Sequence, residues 1–511
     1  MGELEEYLYH YFGYSTFRNG QKEIIEDVNE KKDVLAVLPT GSGKSICYQL
    51  PAMMNEGMVL VVSPLLSLME DQVKQMRARG FKRVIALNSM MAVQERNRQI
   101  QHLHQYQLVY VSPEMLQNRQ LTAKLSRMSI QLFVIDEAHC ISQWGHEFRP
   151  DYLRLQSIHK QLHAPPILAL TATATPDVQH DIMSFMGMRD VNKHIHPMDK
   201  PNIAFLIERV NHQEKKLDYI SSLLSSYQVP TMIYFSSRKE AERISLYLDE
   251  KVEGLRVAYY HGGLDTQDRI LIQQQFMYDQ LDVICCTSAF GMGIDKQNVR
   301  LVIHYHMPAE VESFIQEVGR AGRDGEESIS VLLYHEHDRN IPQRLIDSEL
   351  PNQGLLQEVV DWIFHRQSIP IHEVESYIIE KTGNETPWRF IHYQLEQIGM
   401  KNNSIFLSET YSKQWVLSQL QNAYQQRLQY KISKLLTMEQ WVLQDEMCRR
   451  EALFQYFQDM ITPPNGMCCD QCDFRWDHWK TNRTVNNQEE TASTWKNKLA
   501  QLLLQETEYE I

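Results

Sequence analysis

The chain has 511 residues, enough for roughly three or four domains, because single domains typically run to about 100 to 200 residues. Its net charge of -14 argues against a protein that coats nucleic acid with an overall basic surface, although it is compatible with a local basic groove. No apolar run reaches the roughly 18 residues that a membrane-spanning helix needs, and the first residues lack the pattern of a signal peptide. We therefore expect a soluble protein of the cytoplasm.

Short apolar runs rich in β-branched residues alternate with amphipathic stretches through the first two thirds of the chain. Such a pattern is typical of parallel sheets covered by helices on both faces. Two sets of strands predict two α/β lobes, with a boundary near HPMDKPN (196–202). The first set is VLAVLP (34–39), MVLVVSP (58–64), LVYVSP (108–113), LFVIDE (132–137) and ILALTAT (167–173). The second set is TMIYFSS (231–237), VAYYHGG (257–263), DVICCTSA (282–289), VRLVIHY (299–305) and ISVLLY (329–334).

The segment LPTGSGKS (38–45) stands between a predicted strand and a helical pattern. In that context the glycines let backbone N–H groups wrap phosphates, Lys44 reaches the outer phosphates, and the Ser45 hydroxyl can ligate magnesium. A plain glycine turn before a helix is the alternative interpretation. The nucleotide-binding residues predicted here are Thr40, Gly41, Ser42, Gly43, Lys44 and Ser45.

Four further residues are candidates for phosphoryl transfer. Asp136, at the end of an apolar strand, can hold magnesium through water, and Glu137 can orient or deprotonate the attacking water. Arg320 and Arg323 stand three residues apart in EVGRAGRDG, which predicts one helical face and an arginine finger delivered from the second lobe. The alternatives are an acidic helix cap for the carboxylates and a solvated basic helix end for the arginines.

After about residue 340 the strand signal stops and the chain becomes helical. Residues 354–410 contain three helical patterns followed by a possible hairpin, KNNSIFLSET (401–410). This order suggests a small winged-helix unit, with a plain helical spacer as the alternative.

Four of the eight cysteines fall within one stretch near the end of the chain. Four thiolates have the number and chemistry of a tetrahedral structural zinc site, and in a reducing compartment a metal site is favoured over disulfides. His478 in place of Cys468 is the alternative fourth ligand. The predicted ligands are Cys448, Cys468, Cys469 and Cys472.

Taken together, these motifs resemble the RecQ family of ATP-dependent DNA helicases within superfamily 2, in a short bacterial form. The matching segments occur in the family's order from residue 12 to residue 325. They are FGYSTFRNGQKEII (12–25), LPTGSGKSICYQLP (38–51), VVSPLLSLMEDQV (61–73), DEAHCISQWGHEFRPDY (136–152), ALTATAT (169–175), YHGGL (260–264), TSAFGMGIDKQNVRLVIHY (287–305) and ESFIQEVGRAGRDG (312–325).

The resemblance implies roles for residues at matching positions of the ATP site. Arg18 and Gln21 would contact the adenine, and Thr171 and Thr173 would relay contact between the lobes. Gln316 would help Arg320 and Arg323 to close the interlobe site. MCRREALFQYF and CCDQC (468–472) resemble the family's zinc module, and 3′ to 5′ movement is implied for the motor.

The segment CISQWGHEFRPDY resembles the aromatic-rich loop by which RecQ proteins sense single-stranded DNA. Its residue types agree, because aromatic rings offer stacking faces and the polar and basic side chains offer further contacts. A buried aromatic cluster is the alternative. The residues with this predicted role are Trp144, His146, Phe148 and Arg149, with Tyr152 as a further stacking face.

The sequence thus predicts a helicase that uses ATP, Mg2+ and Zn2+ and acts on single-stranded and partly duplex DNA at the nucleoid, with no membrane association. A DNA translocase that does not separate strands, an RNA helicase and a DNA-binding scaffold with a dead ATPase are the alternatives. The predicted units are motor lobe 1 (1–200), motor lobe 2 (201–340), a helical region (341–425), a zinc module (426–480) and a polar tail (481–511).

Overall fold

The structure is a computed structural model, and it contains two α/β lobes followed by a mainly helical region, as the sequence predicts. No helix among the described residues is long and apolar enough to cross a bilayer. The described residues are 2–88, 91–142, 150–290, 296–366, 369–398, 404–405, 411–458 and 460–479.

The strands of lobe 1 pair in parallel to form one sheet. Those strands are β1 (Val34–Val37), β2 (Met58–Val62), β3 (Val84–Leu87), β4 (Leu108–Val111), β5 (Ile130–Ile135), β6 (Ile167–Thr171) and β7 (Asn192–Ile195). The helices of lobe 1 are α1 (Glu3–Phe12), α2 (Gln21–Asn29), α3 (Ile46–Met54), α4 (Leu66–Ala78), α5 (Val93–Gln101), α6 (Arg119–Leu125), α7 (Leu155–Gln161) and α8 (Pro176–Met186). Short 3-10 turns lie at Leu103–Gln105, Met115–Gln117, Ala138–Ile141 and Pro150–Arg154.

The strand order of this sheet, β3-β4-β2-β5-β6-β1-β7, puts the motif-bearing strands side by side. Val37 pairs with Thr171, and Ile135 pairs with Ala169. Because parallel neighbours all end at the same edge, the loops that follow β1, β5 and β6 converge there. The sheet order therefore brings the glycine-rich loop and Asp136 together.

Both faces of this sheet are buried. In β1, Leu35 and Val37 belong to one apolar cluster, while Val34 and Ala36 belong to the cluster on the opposite face. Alternate residues of a strand point to opposite faces, so a strand covered on both sides must be apolar throughout. This explains why the strands are uninterrupted apolar runs.

The strands of lobe 2 form a second parallel sheet, in the order β10-β11-β9-β12-β13-β8. They are β8 (Ile203–Arg209), β9 (Thr231–Tyr234), β10 (Val257–Tyr260), β11 (Val283–Cys286), β12 (Leu301–His304) and β13 (Ser328–Tyr334). The helices of lobe 2 are α9 (Glu214–Ser226), α10 (Arg238–Lys251), α11 (Thr266–Met277) and α12 (Val311–Val318). Among the described residues, the strands β3, β7 and β8 have no counterpart in the sequence prediction.

The remaining elements follow β13 in the chain. They are α13 (Asn340–Glu349), α14 (Gln353–His365), β14 (Ile369–Pro370), α15 (Ile371–Thr382), α16 (Thr386–Gln397), β15 (Ser404–Ile405), α17 (Lys413–Leu443) and α18 (Arg449–Phe454), with 3-10 turns at Glu336–Arg339 and Trp476–His478. The three predicted helices of this region are thus present as α14, α15 and α16. The predicted hairpin falls largely outside the described residues, and its residues 404–405 pair antiparallel with β14.

Residues 353–405, called the insert below, have an apolar core of their own. Leu356 and Val360 of α14 pack with Ile378 of α15 and Ile391 of α16, and all four are fully buried. The long helix α17 closes this core with Val416 and Leu420 at its first turns. The insert is therefore a small folded unit carried on α17.

A buried ion pair fastens helix α18 to the segment between the two sheets. Arg450, in α18, pairs with Asp199, and both side chains are almost completely excluded from solvent. The same guanidinium donates to the carbonyl oxygens of Lys200, at 3.0 Å, and Ile203. Such extra hydrogen bonds are what a buried ion pair needs to offset desolvation.

Candidate ATP site and cysteine cluster

The glycine-rich loop connects the end of β1 to the start of α3. Gly41 and Gly43 have φ angles of 83° and 75°, in the left-handed region that glycine adopts without a Cβ penalty. The loop then enters α3 through Ser45, its N-cap residue. A helix N-terminus with unpaired N–H groups and a positive dipole end is a phosphate-binding geometry.

Two residues of the amino-terminal segment hold the glycine-rich loop. The amide of Gln21 donates to the carbonyl oxygens of Ser42 and Gly43, at 2.8 and 3.1 Å. The Arg18 guanidinium donates to the carbonyl oxygen of Gly41. A cavity of about 400 Å³ lies beside them, lined in part by Phe17, and its volume suits a flat heterocycle.

The carboxylates after β5 sit at the same edge. The backbone N–H of Asp136 donates to Val62 at 2.9 Å, which continues the sheet pairing and fixes its position. Burial raises the pKa of Asp136 to about 7, and the neighbouring Glu137 charge adds to this, while Lys44 acts in the opposite direction. A divalent cation placed at this carboxylate would favour its ionised form.

Glu137 has a φ of 49°, a left-handed conformation that is rare for a residue with a long side chain. Its Oε2 atom is buried and accepts no hydrogen bond from the described residues, although His139 Nδ1 lies 3.4 Å away. The left-handed backbone thus leaves the buried Oε2 atom beside His139 without a hydrogen bond from the described residues. That is the arrangement expected of a group that receives its hydrogen bond from a bound water.

Thr171 and Thr173 are buried in lobe 1. Thr171 Oγ1 lies 2.8 Å from His139 Nδ1 and 3.1 Å from the carbonyl oxygen of Thr173. The end of β6 is therefore tied to the 3-10 turn that follows Glu137. His139 was not singled out in the sequence, where a histidine beside two carboxylates gave no separate signal.

The two lobes meet across the glycine-rich loop. A Cβ added to Gly41 would come within 3.0 Å of the Arg323 side chain, and one added to Gly319 would overlap Thr40 Oγ1. The cleft is thus closed in this structure, with Arg323 lying against the phosphate-binding loop. Gly319 was also missed in the sequence, because the need for a residue without a side chain arises only when the lobes are in contact.

The prediction that Arg320 and Arg323 share a helical face is wrong. Helix α12 ends at Val318, and Gly322 has a φ of 53°, so both arginines lie in an irregular turn. Arg320 is buried in lobe 2, where it hydrogen-bonds Tyr234, and Arg323 faces lobe 1. The adjacent Gln316 is buried in α12.

The predicted DNA-sensing residues Trp144, His146, Phe148 and Arg149 lie outside the described residues. Tyr152, which follows them, is fully buried in the lobe 1 core, and its hydroxyl donates to the backbone carbonyl oxygen of Asp136 at 3.0 Å. The prediction of Tyr152 as an accessible stacking face is therefore wrong. Its role is to tie the end of the loop to the carboxylate-bearing turn.

The four clustered cysteines come together, with every pair of sulfur atoms within 4.8 Å. Cys448 Sγ lies 3.5 Å from Cys468 Sγ and 3.8 Å from Cys469 Sγ, and Cys469 Sγ lies 3.5 Å from Cys472 Sγ. A tetrahedron with metal–sulfur bonds of about 2.3 Å has edges of about 3.8 Å, so the spacing fits zinc. His478 is not part of this group.

The cysteine cluster is built onto the edge strand of lobe 2. The backbone of Cys469 forms a parallel β-bridge with Phe205 of β8, and the backbone N–H of Arg449 donates to the Cys469 sulfur at 3.4 Å. The buried Arg449 guanidinium also binds Asp470 at 3.1 Å. A metal here would therefore hold α18 against β8 rather than reach the ATP site.

Two family descriptions match the motor region. Residues 18–182 match the DEAD/DEAH box helicase family, and residues 215–325 match the helicase conserved C-terminal domain. The first range contains the glycine-rich loop and the carboxylates, and the second contains Arg320 and Arg323.

The chain is also similar in sequence to individual DNA helicases. The chain is 42% identical over 476 residues to the probable ATP-dependent DNA helicase RecS of Bacillus subtilis, covering 93% of this chain and 92% of that protein. It is 41% identical over 366 residues to ATP-dependent DNA helicase RecQ of the same organism, covering 70% of this chain and 61% of RecQ.

Solved structures share the fold of the motor. The Mycobacterium smegmatis helicase Lhr bound to single-stranded DNA and AMP-PNP has a TM-score of 0.55 at 21% identity, covering 76% of this chain and 55% of Lhr. Dbp5 of Saccharomyces cerevisiae bound to RNA and ADP BeF3 has a TM-score of 0.55 at 19% identity, covering 68% of this chain and 91% of Dbp5. At such identities the likeness concerns the fold alone.

Proposed function

Since the chain belongs to the RecQ family of ATP-dependent DNA helicases, we propose that it couples ATP hydrolysis to movement along single-stranded DNA and to strand separation. The observation that carries the proposal is the closed cleft, in which Arg323 of lobe 2 lies against Gly41 of lobe 1. A motor of this kind needs a nucleotide site completed by both lobes, because only then does hydrolysis change their relative position.

Lobe 1 would hold the nucleotide. Backbone N–H groups around Gly41 and Gly43 would bind the phosphates, with Lys44 on the outer ones and the adenine beside Arg18 and Gln21. Ser45 and Asp136 fit a magnesium site, since both offer oxygen ligands, and magnesium would supply charge neutralisation between the phosphates.

Glu137 would position the attacking water and accept its proton. The left-handed backbone and the buried Oε2 atom, which accepts no hydrogen bond from the described residues, support this role. Arg323 would stabilise charge that develops on the transferred phosphoryl group, while Arg320 would anchor the turn through Tyr234. Release of the products would remove the link between the lobes and favour an open cleft.

The DNA contact would come from the aromatic loop that contains Trp144 and Phe148. Stacked bases contribute about 1–3 kcal/mol each in comparable single-strand sites, so one or two rings are enough to sense the strand. The family resemblance supports 3′ to 5′ movement and a role in DNA repair or recombination. We propose the nucleoid, in the bacterial cytoplasm, as the site of action, because the substrate is found there.

The cysteine cluster would bind a structural zinc ion. The sulfur spacing supports this assignment, and the cluster joins α18 to the edge of lobe 2. Zinc would therefore contribute to folding and to the placement of α17 and the insert, since such sites supply folding energy.

A translocase that leaves duplexes intact is the main alternative, and an RNA motor is a second. ATP turnover measured with single-stranded DNA, single-stranded RNA and no nucleic acid decides the substrate, with Glu137→Gln as the control for contaminating ATPases. We expect stimulation by DNA that greatly exceeds stimulation by RNA and that Trp144→Ala removes. Equal stimulation by the two polymers would contradict the assignment to DNA.

A further inference from the structure

The insert contacts lobe 1 directly and is joined to lobe 2 through helix α17. Helix α17, which carries it, is fixed to lobe 2 by ion pairs of Lys434 with Glu312 in α12 and of Glu439 with Arg339. At its other side, helix α16 packs against the 3-10 turn Pro150–Arg154 of lobe 1. The insert therefore forms a second link between the lobes, in addition to the ATP cleft.

The link to lobe 1 is electrostatic. Glu396 of α16 forms an ion pair with Arg154, and the two side chains are 29% and 33% exposed. Two helical turns earlier in α16, Arg389 pairs with Glu385 of the same helix, and the negative charges of Asp151 and Glu114 in lobe 1 act on it as well. The charges that Glu396 and Arg389 present to lobe 1 are therefore opposite in sign to those of Arg154 and Asp151.

The turn that receives this contact also reaches the ATP site. Tyr152 lies two residues before Arg154, and its hydroxyl holds the backbone carbonyl oxygen of Asp136. The same turn directly follows residues 143–149, the proposed DNA-sensing segment. One short element is therefore connected to the insert, to the carboxylates and to the DNA loop.

We propose that Arg154 and Glu396 are positioning residues that couple DNA sensing to closure of the motor through the insert. This inference rests on the proposed function. The ion pair is present in the structure together with the closed cleft in which Arg323 meets the glycine-rich loop, so the pair is compatible with the closed state that DNA is expected to promote.

The insert contacts lobe 1 through helix α16, and the position of this helix indicates the role of the insert. Its order of elements is helix, strand, helix, helix, strand, and α16 is the third helix. In a three-helix variant of the helix-turn-helix, the third helix reads the DNA major groove. Here its charged face lies against lobe 1, so the insert acts as a brace of the motor and not as a reader of duplex DNA through α16.

Charge reversal tests the proposal. Because the pair is partly exposed, its loss should reduce DNA-stimulated ATP turnover only about two- to fivefold. We expect Arg154→Glu and Glu396→Arg each to show this reduction, with basal turnover without DNA unchanged, and the double variant to regain most of the parent rate. The reduction should also shrink as salt is raised, because salt screens exposed charges.

The signs of the two single variants separate this role from a general charge effect on DNA binding. Arg154→Glu removes positive charge and Glu396→Arg adds it, so a field effect would weaken DNA stimulation in the first and strengthen it in the second. If both single variants lower DNA-stimulated ATP turnover and the double variant restores it, the brace is supported. Opposite effects, or no rescue in a double variant that unfolds at the parent temperature, overturn it.

A matched control lies elsewhere in the insert. Lys381 and Glu358 form an exposed ion pair between α15 and α14, and Lys381→Glu and Glu358→Lys make the same charge changes. We expect parent-like DNA stimulation from both. If the parent itself shows no DNA stimulation, the proposed function fails; if the parent responds and the Arg154 and Glu396 variants respond equally well, only the brace is refuted.

Discussion

Gly319→Ala should separate closure of the motor from its folding. Gly319 has a φ of -59° and a ψ of -2°, which alanine adopts without strain. The added methyl group would overlap Thr40 Oγ1, well inside the 3.0 Å approach that real Cβ atoms respect. Its other tight contact, 3.0 Å to the carbonyl oxygen of Ile315, lies within lobe 2 and is the same in open and closed states.

The added methyl group should raise the free energy of the closed state alone. Overpacking by one methyl group typically costs about 1–3 kcal/mol, which corresponds to roughly a 5- to 150-fold loss of closed population. ATP turnover with saturating single-stranded DNA should fall within this range, while the thermal unfolding midpoint changes little.

Thr40→Ala removes the atom that the new methyl group would overlap and leaves Thr40 Cβ at 3.2 Å. Adding Gly319→Ala to Thr40→Ala should therefore cost much less than adding it to the parent, a coupling that a double-mutant cycle measures. Gly354→Ala, in the insert and away from the cleft, is the matched control. Unchanged turnover in Gly319→Ala would refute the claim that the lobes close through this contact.

Three other substitutions test the remaining parts of the account. Glu137→Gln should lower ATP turnover by about a hundredfold or more with the circular dichroism spectrum retained, and normal turnover would contradict its role as a base. Cys472→Ser should reduce bound zinc and lower the unfolding temperature, which metal analysis and calorimetry of the purified protein measure; full zinc content would remove Cys472 from the ligand set. Arg450→Met should destabilise the protein by about 3–5 kcal/mol, because Asp199 is left buried without its partner. Denaturant unfolding measures this loss. If the broken pair is the cause, the double variant Arg450→Met/Asp199→Asn should be more stable than Arg450→Met alone.

The central strands were predictable because burial on both faces requires uninterrupted apolar residues. Strand β7 was missed for the opposite reason. It lies at the sheet edge, pairs only with β1 among the described strands, and reads NKHI, without an apolar run. Strands β3 and β8 are mostly apolar but were not recognised, and β8 begins where a domain boundary was expected.

Residue type predicted the chemistry of the site better than its geometry. The sequence predicted Lys44 and Asp136 as ATP-site residues and the four cysteines as metal ligands, because these predictions depend on side-chain chemistry, and the structure brings the four sulfur atoms together. It was wrong about Tyr152 as a stacking face and about a shared helical face for Arg320 and Arg323, because only tertiary contacts decide where such side chains lie. The buried Arg450 gave no sequence signal, as its partner stands about 250 residues earlier.

Strand separation of three otherwise identical DNA duplexes, with a 3′ tail, a 5′ tail or blunt ends, tests the central claim most directly. The assay uses ATP, a low and stated salt concentration, and Lys44→Ala as the inactive control, because phosphate contacts weaken steeply with salt. We predict unwinding of the 3′-tailed duplex alone. If none of the duplexes separates while single-stranded DNA still stimulates ATP hydrolysis, the chain is a DNA translocase and the helicase assignment is contradicted.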